Sequence, residues 1–294
     1  MLGLYTLILV MVLCWSGNFI AGKVALRELP PFALLFLRVS FSAALLAAIY
    51  FTSPESRRER VDKTALKKFA ELGLYGVALN QTGFTVGLHH TTVAHSALVI
   101  ALGPIFVLLL ARWQRLEALT TRKLLGMFIS FAGVLILTSE HGLGAGSPTL
   151  AGDLITLAGS VAFAFYTIAG KKVALTYNTL AMNTYAYLIG AILVVPISAW
   201  QLRDVPWPAI SWQGWLAVGY MAGLASVAAY LIYYYALSKL SASRVAAFGY
   251  LQPVVATLLG VLLLKESLSP QLLAGGSAVL LGVYLAERAR NSKV

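Results

Sequence analysis

The chain has 294 residues, of which 59% are hydrophobic and only 11% charged, and its formal net charge is +11. An ordinary soluble domain carries about twice that share of charge, so the composition excludes one and points to a polytopic membrane protein. The basic excess lies in short runs between apolar stretches, where it reports membrane orientation rather than nucleic-acid binding.

A membrane-spanning helix needs about 20 largely apolar residues. Ten stretches meet that standard: 3–22, 31–52, 69–89, 92–112, 121–139, 151–171, 178–200, 212–236, 242–264 and 270–287. The first has no Lys or Arg ahead of it and no small-residue cleavage site, so it reads as a retained span and not a signal peptide. It holds Cys14, the one cysteine, so no intramolecular disulfide is possible and packing is its expected role. The links are short except for 53–68 and 140–150, and no soluble domain fits between spans. In alternate links Lys and Arg number seventeen on one side and four on the other, with Arg38 inside the second span completing the 22. Cytoplasmic links are the basic ones, which places both termini in the cytoplasm.

The stretch from Thr92 to Leu137 returns 149 residues later in Ser241 to Ala286: Pro104 meets Pro253, Glu117 meets Glu266, Gly126 meets Gly275 and Gly133 meets Gly282. The chain therefore reads as two copies of one unit, 1–145 and 146–294. Five spans per copy is an odd number, so the second copy enters the membrane from the opposite face. Such inverted repeats mark alternating-access transporters with a site near the midplane.

Ser269 and Pro270 open the last span as N-cap and first helical residue. Glu117 and Glu266 precede the starts of the fifth and tenth spans, where the helix dipole favours a carboxylate. Stabilising those termini is the expected role, with ion coupling as the alternative. Trp207, Trp212 and Trp215 read as an interfacial belt.

In the third span Gly73, Gly76, Asn80, Gly83 and Gly87 share one face at helical spacing, a seam for close packing. Asn80 near mid-depth needs a partner, either another helix or a substrate. On the neighbouring face Gln81 pairs by the 149 offset with Tyr230, Phe84 with Tyr233, and Val77 with Ser226, a mix of polar and aromatic groups that suits a cavity wall. Trp15, Ser16 and Asn18 cluster within a turn of the first span, and Phe163 and Tyr166 occupy the matching region of the sixth. An aromatic body with a polar tip fits a small amphipathic ligand. Pro104 and Pro253 interrupt their spans near the middle, preceded by Gly103 and Gln252, and the carbonyls they free must face protein or a water-filled cavity. Arg38 either snorkels to the outer interface or faces the cavity, where its guanidinium suits a carboxylate. His89, His90 and His95 have no carboxylate or cysteine nearby in the sequence and read as interfacial polar residues, so neither a metal nor another cofactor is expected. No Asp or Glu falls near the middle of any span, leaving Arg38 or His95 for any ion coupling. No catalytic constellation is present, and an enzyme is not expected.

Trp15-Ser16-Gly17-Asn18 ahead of Lys23, Pro30-Pro31 spaced to Arg38, and the twice-repeated proline, glutamate and glycine pattern resemble the drug/metabolite transporter superfamily, in its ten-span branch of paired EamA-type units. The resemblance covers nearly the whole chain, although Tyr187 stands where the second copy would repeat Arg38. It implies a multi-pass inner-membrane exporter of bacteria. Spans one to four and six to nine would surround a central cavity, with spans five and ten peripheral. Among its members the chain looks most like exporters of amino acids, aromatic ones included. The expected partners are a small amino-acid substrate and membrane lipid, while the oligomeric state is not legible. Broad efflux of amphipathic drugs is the alternative, and a sugar-phosphate or nucleotide-sugar antiporter, which needs several cavity cations, is a third reading. The orientation makes its own prediction: a reporter active only outside the cytoplasm is active when fused after Gly144 and silent after Arg58, and the reverse pattern overturns it.

Overall fold

The computed structural model describes residues 2–54, 61–115, 120–138, 149–240 and 242–288, and every element in them is a helix. In order these are α1 (Leu2–Leu26), α2 (Pro31–Thr52), α3 (Lys63–Leu72), α4 (Asn80–His90), α5 (Val93–Ile100), α6 (Gly103–Trp113), α7 (Thr121–Thr138), α8 (Leu150–Val173), α9 (Thr179–Ser198), α10 (Trp212–Tyr220), α11 (Ala229–Lys239), α12 (Ala242–Ala247), α13 (Leu251–Leu264) and α14 (Pro270–Arg288). Two π-helical segments, Gly73–Leu79 and Met221–Ala228, splice α3 to α4 and α10 to α11 into continuous rods. Among the described residues six helices are long and apolar enough to cross a membrane: Gly3–Leu26, Pro31–Thr52, Val93–Trp113, Leu150–Val173, Thr179–Asp204 and Trp212–Lys239. Glu117, Gly144, Arg57, Arg58, Arg60, Arg290 and Lys293, on which parts of the sequence reading rest, lie outside the described residues.

The rods pack across the sequence midpoint. α1 lies on α10 and α11, α8 on α4, α2 on α9, α5 on α13 and α7 on α14. Glycine sets the closest of these approaches. A Cβ on Gly133 of α7 would stand 2.6 Å from the Gly275 carbonyl of α14, and one on Gly282 would collide with the Gly126 carbonyl. As α7 advances from 126 to 133, its partner runs back from 282 to 275, so the two helices are antiparallel. Midway, the Ser130 hydroxyl donates to the Val279 carbonyl at 3.2 Å, a pair 149 residues apart. Small residues allow this backbone contact where lipid offers no hydrophobic drive for helix association.

The glycine seam of the third predicted span is divided rather than continuous. Gly76, Gly83 and Gly87 face Tyr166, Gly159 and Thr156 of α8, but Gly73 faces Ala186 and Gly190 of α9. The cause is the π segment at Gly73–Leu79. Each of its i→i+5 rings holds one residue more than an α turn, which rotates the residues before it onto another neighbour.

Helix starts are capped from afar as well as locally. The Thr92 side chain accepts from the His95 amide, Asp62 from Ala65, and Ser211 from Gly214. Glu266 was expected to serve the helix that follows it. Instead its carboxylate accepts from the amides of Val93 at 2.9 Å and Ala94 at 3.3 Å, the open N-terminus of α5. The correction is physical: Ser269 already caps α14 through the Leu272 amide, whereas the first turn of α5 holds unpaired N–H groups and the positive end of a dipole.

Glu28, in the link before α2, repeats the device at α10, accepting from the Ser211 amide at 2.7 Å and its hydroxyl at 2.6 Å. Those hydrogen bonds hold its carboxyl below the usual carboxylate value. Because the folded value is depressed, the stabilisation is present above the unfolded value, about 4.3, and is lost as pH falls through the folded one. Thermal unfolding in detergent is expected to show Glu28→Gln less stable than the parent at neutral pH. The gap should close in acid below about pH 4.

Candidate substrate-binding cavity

A chain of hydrogen bonds crosses the middle of the bundle and is built from both halves. The Gln81 amide donates to the hydroxyls of Tyr230 at 2.9 Å and Tyr187 at 3.3 Å. Tyr230 donates in turn to the Asn80 side-chain carbonyl at 3.1 Å, and the Asn80 amide ends the chain on the Gly159 carbonyl at 3.0 Å. Gln81 and Tyr230 are themselves 149 residues apart. Asn80 thus binds a neighbouring helix and also borders the cavity.

Beside this chain the rings of Trp15, Phe163, Tyr230 and Tyr233 form a box. Trp15 meets Phe163, Tyr230 and Tyr233 with ring centroids 5.8, 5.5 and 5.3 Å away. The polar tips are engaged by protein, Trp15 Nε1 donating to the Ala225 carbonyl at 3.0 Å and the Tyr233 hydroxyl meeting Thr167 Oγ1 at 2.6 Å. What the box offers a ligand is therefore aromatic faces.

Between chain and box lies a cavity of about 80 Å³ lined by Trp15, Asn18, Phe19, Arg38, Asn80, Gln81, Phe84, Ile100, Gly103, Ser160, Phe163, Tyr230 and Gln252. A smaller space of about 40 Å³ adjoins it past Pro104, Tyr233, Val107, Val245 and Gly249. Pockets that enclose organic ligands run to roughly 300–1,000 Å³. This conformation has room for a carboxylate or a few waters, and a larger substrate requires the walls to part.

Arg38 is buried with 2% exposure and borders the cavity. Its Nε donates to the Ser226 hydroxyl at 3.0 Å, and the guanidinium carbon stands 5.4 Å from the Phe84 ring centre. Its Nη1 has no partner, and neither has Asn18 Oδ1 or Ser160 Oγ, and all three side chains border the cavity.

Other expected residues fall elsewhere. Ser16 is fully buried with an unpaired hydroxyl but does not line the cavity, because it lies on the helix face turned from Trp15 and Asn18. Tyr166 sits behind the box, its ring against Tyr230 at 5.7 Å and over Gly76. Pro253 faces an apolar groove of about 290 Å³ between α13 and α14, with Leu98 and Leu272, one position round the helix from cavity-lining Gln252. Both prolines stand in the first turn of a resumed helix after a break, at 101–102 before α6 and in the 3-10 turn Phe248–Tyr250 before α13. A missing N–H costs nothing there.

Phe19, Ile100 and Ser160 line the cavity without having been expected to, and in so apolar a chain such residue types carry no signal. His95 needs a correction. It is buried, with Nδ1 3.2 Å from Asp153 Oδ2, while Thr91 Oγ1 donates to Asp153 Oδ1 at 2.6 Å. The carboxylate missing from its sequence neighbourhood arrives from α8, 58 residues on. His89 and His90 are exposed.

A bundle of apolar helices around a small polar and aromatic cavity defines a multi-pass membrane protein of the transporter class. The chain belongs to the EamA-like transporter family, which it matches twice, over residues 2–139 and 150–287. It is 30% identical over 283 residues to a transporter of Archaeoglobus fulgidus, covering 96% of each chain. It is 29% identical to the inner membrane transporter YedA of Escherichia coli over 92% of this chain and 85% of YedA. It is also 27% identical to the transporter YyaM of Bacillus subtilis over 86% and 84%. A crystal structure at 20% identity superposes with a TM-score of 0.70 over 97% of this chain and 96% of its own, a likeness of fold.

The hydrogen-bond chain makes a prediction about transport. Tyr230→Phe and Gln81→Leu each leave a buried partner unsatisfied, a cost of about 1–3 kcal/mol, and are expected to slow transport by about tenfold or more. Tyr235→Phe, at a ring 44% exposed, is expected to change nothing. Equal rates for all three in vesicles of matched protein content remove the chain from the mechanism.

Proposed function

We propose that the chain is a secondary exporter of amino acids, aromatic and other neutral ones, that works by alternating access across the inner membrane of a bacterium. In this reading it crosses the bilayer ten times as two inverted five-helix repeats, 1–145 and 146–294, with both termini in the cytoplasm. The antiparallel glycine contacts of α7 and α14 and the bonded pairs 149 residues apart support the inversion. The inner-membrane relative YedA supports the location.

The observation that carries the substrate is the pair of unpartnered atoms at one cavity, Arg38 Nη1 and Asn18 Oδ1. A buried guanidinium N–H with no acceptor and a buried amide oxygen with no donor are each costly to leave unmade. A ligand carrying a carboxylate and an ammonium on one carbon satisfies both at once, the carboxylate on Arg38 and the ammonium on Asn18. The ring faces of Trp15, Phe163 and Tyr230 then receive an apolar or aromatic side chain. With Arg38 the only cation among the described lining residues, a doubly charged sugar phosphate is poorly matched.

Purified protein in liposomes, offered a panel of labelled amino acids, is expected to move phenylalanine, tryptophan and neutral aliphatic amino acids. Arg38→Gln is expected to lower that rate by about tenfold or more, since a hydrogen bond to a charged group is worth about 1.5–3 kcal/mol. Transport of cationic dyes with no amino acid moved, undiminished in Arg38→Gln, would replace this reading with broad drug efflux.

A further inference from the structure

The two spaces at the centre of the bundle adjoin through one passage. Arg38 and Asn18 border only the larger space, and Val107 and Gly249 only the smaller, whereas Trp15, Ile100, Gly103, Phe163 and Gln252 border both. A ligand whose charged head is held by Arg38 and Asn18 reaches the smaller space only past those shared residues.

Two of them are repeat mates. Gly103 and Gln252 stand 149 positions apart, each directly ahead of a repeated proline. Each also lies in the first turn of a helix that resumes after a break, Gly103 in α6 and Gln252 in α13. Irregular backbone at membrane depth is tolerated where it lines a cavity, and here one break from each half meets at the passage.

The two residues differ in what they present. Gly103 has no side chain, and a Cβ built on it would have nothing within 4 Å, so that wall is open. Gln252 is buried with 7% exposure, and its Nε2 is the nearest atom, at 3.5 Å, to a Cβ built on Gly249 in the wall of the smaller space. Of the other polar groups on that space, Trp15 Nε1 is engaged by the Ala225 carbonyl and the Tyr233 hydroxyl by Thr167. That leaves the Gln252 amide, which carries both donors and an acceptor, to meet a side chain that enters.

We propose that the smaller space is the side-chain pocket of the substrate site, and that Gly103 and Gln252 determine which side chains enter it. Gly103 keeps the passage open to bulk, and Gln252 favours a side chain bearing a hydroxyl or N–H over one that bears neither. This deepens the amino-acid reading and rests on it, because the head group is taken to sit at Arg38 and Asn18. The pocket holds about 40 Å³ in this conformation, so a ring fills it as the walls part. A hydroxylated ring then pairs with the amide, whereas a plain ring leaves that amide without a partner where water has been displaced. Small side chains need little of the pocket and are indifferent to both residues.

Liposomes loaded with each variant test this, with labelled alanine, phenylalanine and tyrosine offered in turn and in competition. In Gly103→Met, whose unbranched side chain suits a backbone that carries Gln252 at the matching place, transport of phenylalanine and tyrosine is expected to fall by about tenfold or more, as overfilling a packed space does. Alanine transport is expected to stay within about twofold of the parent. The parent is expected to prefer tyrosine to phenylalanine by about threefold or more, the worth of one neutral hydrogen bond, and Gln252→Leu to abolish that preference. Melting in detergent shows which variants are folded, and where Gly103→Met melts below the parent, Gly103→Ala is read instead. A Gly103 variant that melts like the parent and treats alanine and phenylalanine alike overturns the pocket, and so does a tyrosine preference absent from the parent or unchanged in Gln252→Leu. Amino-acid transport slowed by Arg38→Gln but blind to Gly103 and Gln252 leaves the amino-acid reading standing and removes the pocket alone. A parent that moves no amino acid overturns that reading and the pocket with it.

Discussion

A polar group in an apolar bundle must find its partner inside the protein, and the hydrogen bond from Gln81 to Tyr230 is where this bundle meets that demand. The two residues are one helical position repeated in the two halves, so the bond lies where the halves face each other. Tyr187 and Asn80 extend it on either side, and the Gly159 carbonyl ends it. With these four side chains bonded, the unpartnered side-chain atoms of residues that border the cavity are, among the described residues, Arg38 Nη1, Asn18 Oδ1 and Ser160 Oγ. In the proposed reading, the selectivity of the cavity depends as much on what the network consumes as on what it leaves.

Packing places that network. Gly83 against Gly159 brings α4 onto α8 at backbone distance, and Gly76 makes room for the Tyr166 ring that supports Tyr230. On the far side, α7 and α14 close on each other through four glycines and make few contacts with the cavity helices. The small residues therefore do two jobs: at α4 and α8 they position chemistry, and at α7 and α14 they hold the two copies together.

Much of this was legible in the sequence for two reasons. Membrane helices announce themselves by length and apolarity, and the repeat offset singled out Gln81, Tyr230, Gly126, Gly133, Gly275 and Gly282 before any contact was known. Arg38 was visible because a lone cation in an apolar stretch is rare. The remainder was hidden by geometry. A π segment has no residue signature, so the division of the glycine seam at Gly73 could not be read. The meeting of His95 with Asp153, and of Glu266 with the start of α5, depends on helix ends brought together by packing across 58 and 173 residues. Phe19, Ile100 and Ser160 look like every other small or apolar residue in the chain.

The two π segments also fall in register. Shifted by 149 positions, Gly73–Leu79 becomes 222–228, inside Met221–Ala228. A π turn holds one residue more than an α turn, so the rod that joins α3 to α4 and the rod that joins α10 to α11 carry the same irregularity at the same place. In the first of them Gly73 turns onto α9 while Gly83 and Gly87 stay on α8, so one rod is shared between two neighbours.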